Sequence, residues 1–157
     1  MTVEKETKLH YLELLNDIAS GERRAGIHLQ AWANRTTDSE LKACLSMVAD
    51  RETSHFHIFN RRIAELGYTW KDDEAADFEE RLRVSGSDMT DVEKIRWGQA
   101  RQAERKGPPI RERYEAAMAD DTVDPLTRSL LSWFSEVEAD SGSKLRQVYE
   151  LCEAKGG

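Results

Sequence analysis

Between residues 5 and 35 the chain carries almost no helix breaker, and Tyr11, Leu15, Ile18, Ala25, Leu29, Trp32 and Ala33 recur at spacings of three and four. That period predicts a long amphipathic helix with one apolar stripe. Glu22 falls on the stripe and interrupts it. Thr36-Thr37-Asp38-Ser39 supplies a turn and a choice of cap, after which Leu41, Leu45, Val48, Phe59, Ile63 and Leu66 mark a second stripe that ends at Gly67. Glu52 and His55 lie on that second stripe. So short a link predicts that the first two helices are antiparallel neighbours.

From residue 68 to residue 89 the pattern weakens into a charged segment followed by Ser85-Gly86-Ser87, a length that can run along a bundle. A short helix over Ala75 to Leu82 fits inside it. Thr90-Asp91-Val92-Glu93 fits a capping box, and helical sequence continues to Lys106 until Gly107-Pro108-Pro109 forces a kink or a restart. Helix resumes over residues 111 to 120. After a turn at residues 121 to 125, a final helix carries Leu130, Leu131, Phe134, Leu145, Val148, Tyr149 and Cys152 toward Gly156, again with a glutamate, Glu138, on its apolar face. The expectation is one all-α domain over residues 1–157, built from hairpins over about 5–67 and 90–154 and a crossover over about 68–89.

Composition narrows the class. The chain has 157 residues, 34% of them charged, and a formal charge of -7, which repels phosphate backbones and disfavours nucleic acid as a partner. No apolar run approaches the roughly 20 residues of a membrane span. The opening Met1-Thr-Val-Glu-Lys-Glu carries mixed charge and no apolar core of a secretory leader, so a cytoplasmic protein is expected. Cys44 and Cys152 are isolated, which argues against a disulfide scaffold and against cysteine-ligated zinc or iron-sulfur clusters.

The two halves repeat one another. Laying residue 22 over residue 104 pairs Glu22-Arg23-Arg24 with Glu104-Arg105-Lys106 and Trp32 with Tyr114, while Glu52-Thr53-Ser54-His55 faces Glu138-Ala139-Asp140-Ser141. Packed together, two such hairpins bring four glutamates and one histidine to the middle of a bundle. A Glu from each of two helices with Glu-x-x-His on the others is the donor set of di-iron and di-manganese bundles. The i, i+3 spacing puts carboxylate and imidazole on one helix face, about 5 to 6 Å apart at Cβ. Oxygen and imidazole donors suit these ions, and a divalent cation offsets the several kcal/mol that each buried carboxylate costs.

On these residues, from about Lys5 to Glu153, the sequence resembles the ferritin-like superfamily, in particular the bacterioferritin and rubrerythrin-type carboxylate bundles. The resemblance implies an up-down-down-up four-helix bundle with a long crossover between its second and third helices. It also implies that Glu22, Glu52, His55, Glu104 and Glu138 are metal ligands, holding one or two ions of iron or manganese. Three departures qualify it. Ser141 stands where the family carries a second histidine, Thr53 follows Glu52 where haem-binding members place methionine, and the paired CxxC motifs of rubrerythrins are absent. Neither haem nor an iron-sulfur site is therefore expected. Gly107-Pro108-Pro109 also falls one turn past Glu104, in a helix the family usually keeps continuous, a break that either opens the site to solvent or a substrate or turns Glu104 away from it.

The function this suggests is an oxidoreductase that activates oxygen or peroxide, acting on an unidentified small molecule. A metal-free scaffold or interaction module is the alternative, and iron storage a third reading. A homodimer is expected, with Trp32 or Phe56 contributing apolar surface. His10, His28 and His57 fall off the inner stripes and read as exposed or internally satisfied. Arg23, Arg24, Arg105 and Lys106 read as solvated charge runs. Ser141-Gly142 removes side-chain volume opposite Glu52 and His55, which either leaves a small cavity or lets two helices approach closely.

Overall fold

A computed structural model describes residues 8–73 and 75–156. The expected start of the first helix at residue 5 and the opening residues lie outside this range. All regular structure among the described residues is helical, with no strand: α1 Leu12–Ala33, α2 Ser39–Glu65, α3 Phe78–Ser85, α4 Asp91–Glu104, α5 Ile110–Ala119 and α6 Pro125–Ala154. None of these helices is long and apolar enough to cross a membrane.

Local chemistry sets the ends. Asp38 caps α2 by accepting from the backbone N–H groups of Glu40 and Leu41, both at 3.0 Å. Thr90 and Glu93 close the anticipated capping box on α4. Asp124 caps α6, where Pro125 takes a first-turn position that needs no donor. Gly67 ends α2 with φ of +88°, a left-handed conformation that glycine adopts without strain. The crossover helix lies a few residues later than the expected Ala75 to Leu82. The helix expected to reach Lys106 stops at Glu104: Arg105 is extended, Gly107 has φ of +91°, and helix restarts only after Pro109.

Side-chain pairs give the packing directions. Arg62 meets Asp124 and Arg51 meets Asp140, while Lys155 returns to Asp38, so α2 and α6 are antiparallel. Along α1, Tyr11 donates to Asp124 at 2.6 Å and Trp32 stacks on Tyr149, so α1 and α6 run together. Trp32 also donates its indole N–H to Asp91 at the start of α4, and Asp17 pairs with Arg113 of α5. The interrupted pair α4 and α5 therefore runs against α1. Trp32 is buried by these contacts, and Phe56 packs on Trp70, so both expected interface residues are engaged within the chain.

Two apolar cores result. One gathers Leu15, Ile18, Phe59, Ile63, Leu131 and Phe134; the other gathers Leu29, Trp32, Leu41, Leu45, Val48 and Val148. Between them, at the middle of α1, α2 and α6, lies a polar layer containing Glu22, Glu52, His55 and Ser141. At this level α1 and α2 press closely together: a Cβ on Gly26 would lie 2.5 Å from Thr53 Oγ1 and 3.3 Å from the Ala49 carbonyl oxygen. Only glycine fits there.

Candidate metal centre

α1 contributes Glu22 to the polar layer, α2 contributes Glu52 and His55 one turn apart, and α6 contributes Glu138. One ligand atom from each lies within 4.8 Å of all the others. The first three are 7%, 5% and 2% exposed, and Glu138 is partly buried. His55 Nδ1 points between two carboxylates, 3.4 Å from Glu138 Oε1 and 3.6 Å from Glu22 Oε2. The imidazole is held edge-on by Trp133 and Phe134, each with its ring centre 5.2 Å away.

The polar atoms at the centre are unsatisfied. Glu22 Oε2, His55 Nδ1 and Glu138 Oε1 are buried and lack a hydrogen-bond partner. Native interiors pair nearly all such atoms, and an orphan among them signals an ion or a water. Here the three orphans face one another. The donor set, three carboxylates and one imidazole, is one that can hold a metal ion.

Charge in the layer is displaced accordingly. Burial, with repulsion from Glu138 behind it, raises the Glu22 carboxyl above its ordinary range, while His55 draws it back. Burial disfavours charge on His55, but the facing carboxylates of Glu138 and Glu22 outweigh it and raise the imidazole. Tyr114 stands alongside, its phenol raised first by burial and then by the charge of Glu138.

Glu104 does not join the cluster. It occupies the last turn of α4 with its side chain 70% exposed, 3.6 Å from Arg101. Because the helix ends there, no neighbour covers it. Where the sequence repeat predicts a second imidazole, Ser141 Oγ instead accepts from Arg51 Nη1 at 3.0 Å, and the same nitrogen donates to Asp140 at 2.8 Å. A guanidinium thus engages the position opposite His55. Sequence reasoning missed Arg51, although its place immediately before Glu52 set it beside the site.

The interruption between α4 and α5 leaves a cleft of about 920 Å³ over the cluster, reaching Glu22, Glu52 and Glu138. Gly142 lines it, and a Cβ there would meet only an Arg146 nitrogen at 3.5 Å, so the missing volume opens space and does not bring helices together. His28, read as no ligand, is not part of the cluster but lines the cleft. Of the residues read as solvated charges, Arg24 and Arg105 face this space as well.

Comparison with protein-family models finds no match for this chain, and comparisons with curated proteins and with solved structures find none. The functional reading therefore rests on the chain's own residues.

Proposed function

We propose that this protein is a ferritin-like bundle that binds a single iron or manganese ion through Glu22, Glu52, His55 and Glu138 and acts as an oxidoreductase on oxygen or peroxide. The observation that carries the reading is the convergence of three buried, unpartnered polar atoms between two apolar cores. The directions of α1, α2, α4 to α5 and α6, with α3 inside a long crossover, favour the up-down-down-up arrangement. One ion is favoured over two because Glu104 faces solvent and Ser141 is engaged by Arg51.

A bound iron or manganese ion supplies redox chemistry and charge neutralisation. The chain's residues do the rest. Phe134 and Trp133 fix the imidazole plane, burial favours a proton on Glu22 that a bound cation would displace, and Tyr114 borders the cleft through which a small substrate approaches. Homodimerisation belongs to this reading, with Ile27 on α1 and Ile58 on α2 as the exposed apolar residues of the first hairpin.

Metal analysis after reconstitution with ferrous or manganous ion tests the proposal. About one ion per chain is expected, lost in Glu52→Ala. Less than one tightly held ion per several chains, with no effect of Glu52→Ala and no change of melting temperature on chelation, overturns it in favour of a metal-free scaffold.

A further inference from the structure

The arginines lining the cleft fall into two groups. Arg24 is neutralised by Asp73, Arg113 by Asp17 and Arg111 by Glu115. Arg81, half-buried on α3, Arg105, in the break after α4, and Arg146, on α6, have no carboxylate within ion-pair distance among the described residues. Arg81 and Arg105 lie against the same wall of the same cavity, with Asp77 the acid whose charge reaches Arg81.

The Arg81 guanidinium is also positioned. It lies over the Trp97 ring, 5.2 Å from its centre, with Arg101 on that ring at 5.1 Å. A side chamber of about 180 Å³ continues the cleft between Trp97 and His28, sharing Arg81 and Tyr149 with it. His28 feels the pair: burial, then the charges of Arg81 and Arg105, lower its imidazole to about 4, with Asp77 opposing. Burial and Arg105 likewise lower Arg81, again with Asp77 opposing. Like charges gathered in a partly buried wall are unfavourable until an anion joins them.

We infer that this end of the cleft is a binding site for the oxyanion head, carboxylate or phosphate, of a small amphipathic molecule, seated on Arg81 and Arg105 beside His28. Guanidinium forks match the paired oxygens of either head. Leu29, Val48 and Leu145 line the cleft and give the body of the molecule an apolar wall. His28 follows Glu22 by six residues on α1, so head and acidic cluster are separated by about 9 Å of helix rise. A ligand of that length places its far end at Glu22 and Glu52. The inference rests on the proposed metal centre only for what that far end meets.

Calorimetric titration of the chelator-stripped full chain with hexanoate, hexanamide and inorganic phosphate tests it. Hexanoate is expected to bind at least tenfold more tightly than hexanamide and more tightly than phosphate, and to shift the His28 ring resonances. Arg105→Gln, at an exposed position that cannot unfold the chain, and Arg81→Gln should each weaken hexanoate at least fivefold. No hexanoate binding, or equal binding by hexanamide, overturns the inference, and phosphate bound as tightly as hexanoate overturns the apolar wall as part of the site. Because the ion is absent from this titration, failure here leaves the metal proposal standing, and an empty metal assay leaves this result standing.

Discussion

The amino-terminal hairpin and the carboxyl-terminal half carry versions of one pattern, and they use it differently. In the first, α1 and α2 are uninterrupted, Gly26 lets them touch, and Glu22, Glu52 and His55 all point inward. In the second, two prolines end the equivalent of α1 at its glutamate, and a serine replaces the imidazole. One broken helix and one missing ring turn a twofold pattern into a one-sided cluster beside an open cleft. The same residues thereby remove one ligand position and create access to those that remain.

Glutamates of the two halves provide the sharpest break of the comparison. Glu52→Ala should reduce bound ion from about one per chain to nearly none, whereas Glu104→Ala should leave stoichiometry unchanged, as elemental analysis of both variants would read. Next in size is packing. Leu45→Ala, at a fully buried position of the continuous hairpin, should cost about 2 to 5 kcal/mol, and Ile110→Ala, exposed just after the break, less than about 0.5 kcal/mol, by urea unfolding.

Acid should separate the regions more gently. His28 of α1 faces Arg81 and Asp77 from α3 and Arg105 from the break, and its imidazole is lowered to about 4. The unfolded chain therefore binds a proton that the folded chain refuses. Stability tied to His28 is fully present above about 6.5 and is lost as pH falls from there toward 4, by roughly 2 to 3 kcal/mol. His28→Gln should flatten that part of the pH profile of unfolding. The smallest change in bound ion is expected from Ser141→His, which restores the repeat at a cost of about 1 to 3 kcal/mol for forcing a ring into a buried position and losing its Arg51 hydrogen bond. Stoichiometry should stay at one ion, because Glu104 remains outside; two ions would show that the imidazole, and not the helix break, is the decisive loss.

Much of the cluster was legible because each of Glu22, Glu52, His55 and Glu138 interrupts an apolar stripe, and a stripe facing a core carries its polar members inward. Glu104 had no such stripe; it belonged to the polar run from Arg101 to Lys106, and only the alignment of the halves suggested it. The alignment could not convey that a helix ending at Glu104 leaves nothing to pack against it. His28 was illegible for the opposite reason. It lies off the stripe that meets α2, but α3 returns across another face of α1 and encloses it. The cleft depends on what the break fails to cover, which no periodicity encodes. The caps at Asp38, Thr90 and Asp124, by contrast, depend only on neighbours in sequence.

The anchoring of α6 divides the molecule mechanically. Asp124 ties its first turn to Tyr11, Arg62 and Thr127, and Lys155 ties its far end to Asp38 of α2. A rod clamped at both ends keeps Glu138 at constant height against His55. The opposite wall is jointed at Gly107 between α4 and α5, so the spacing of the four converging side chains is set by the unbroken rods and not by the helix pair that borders the mouth.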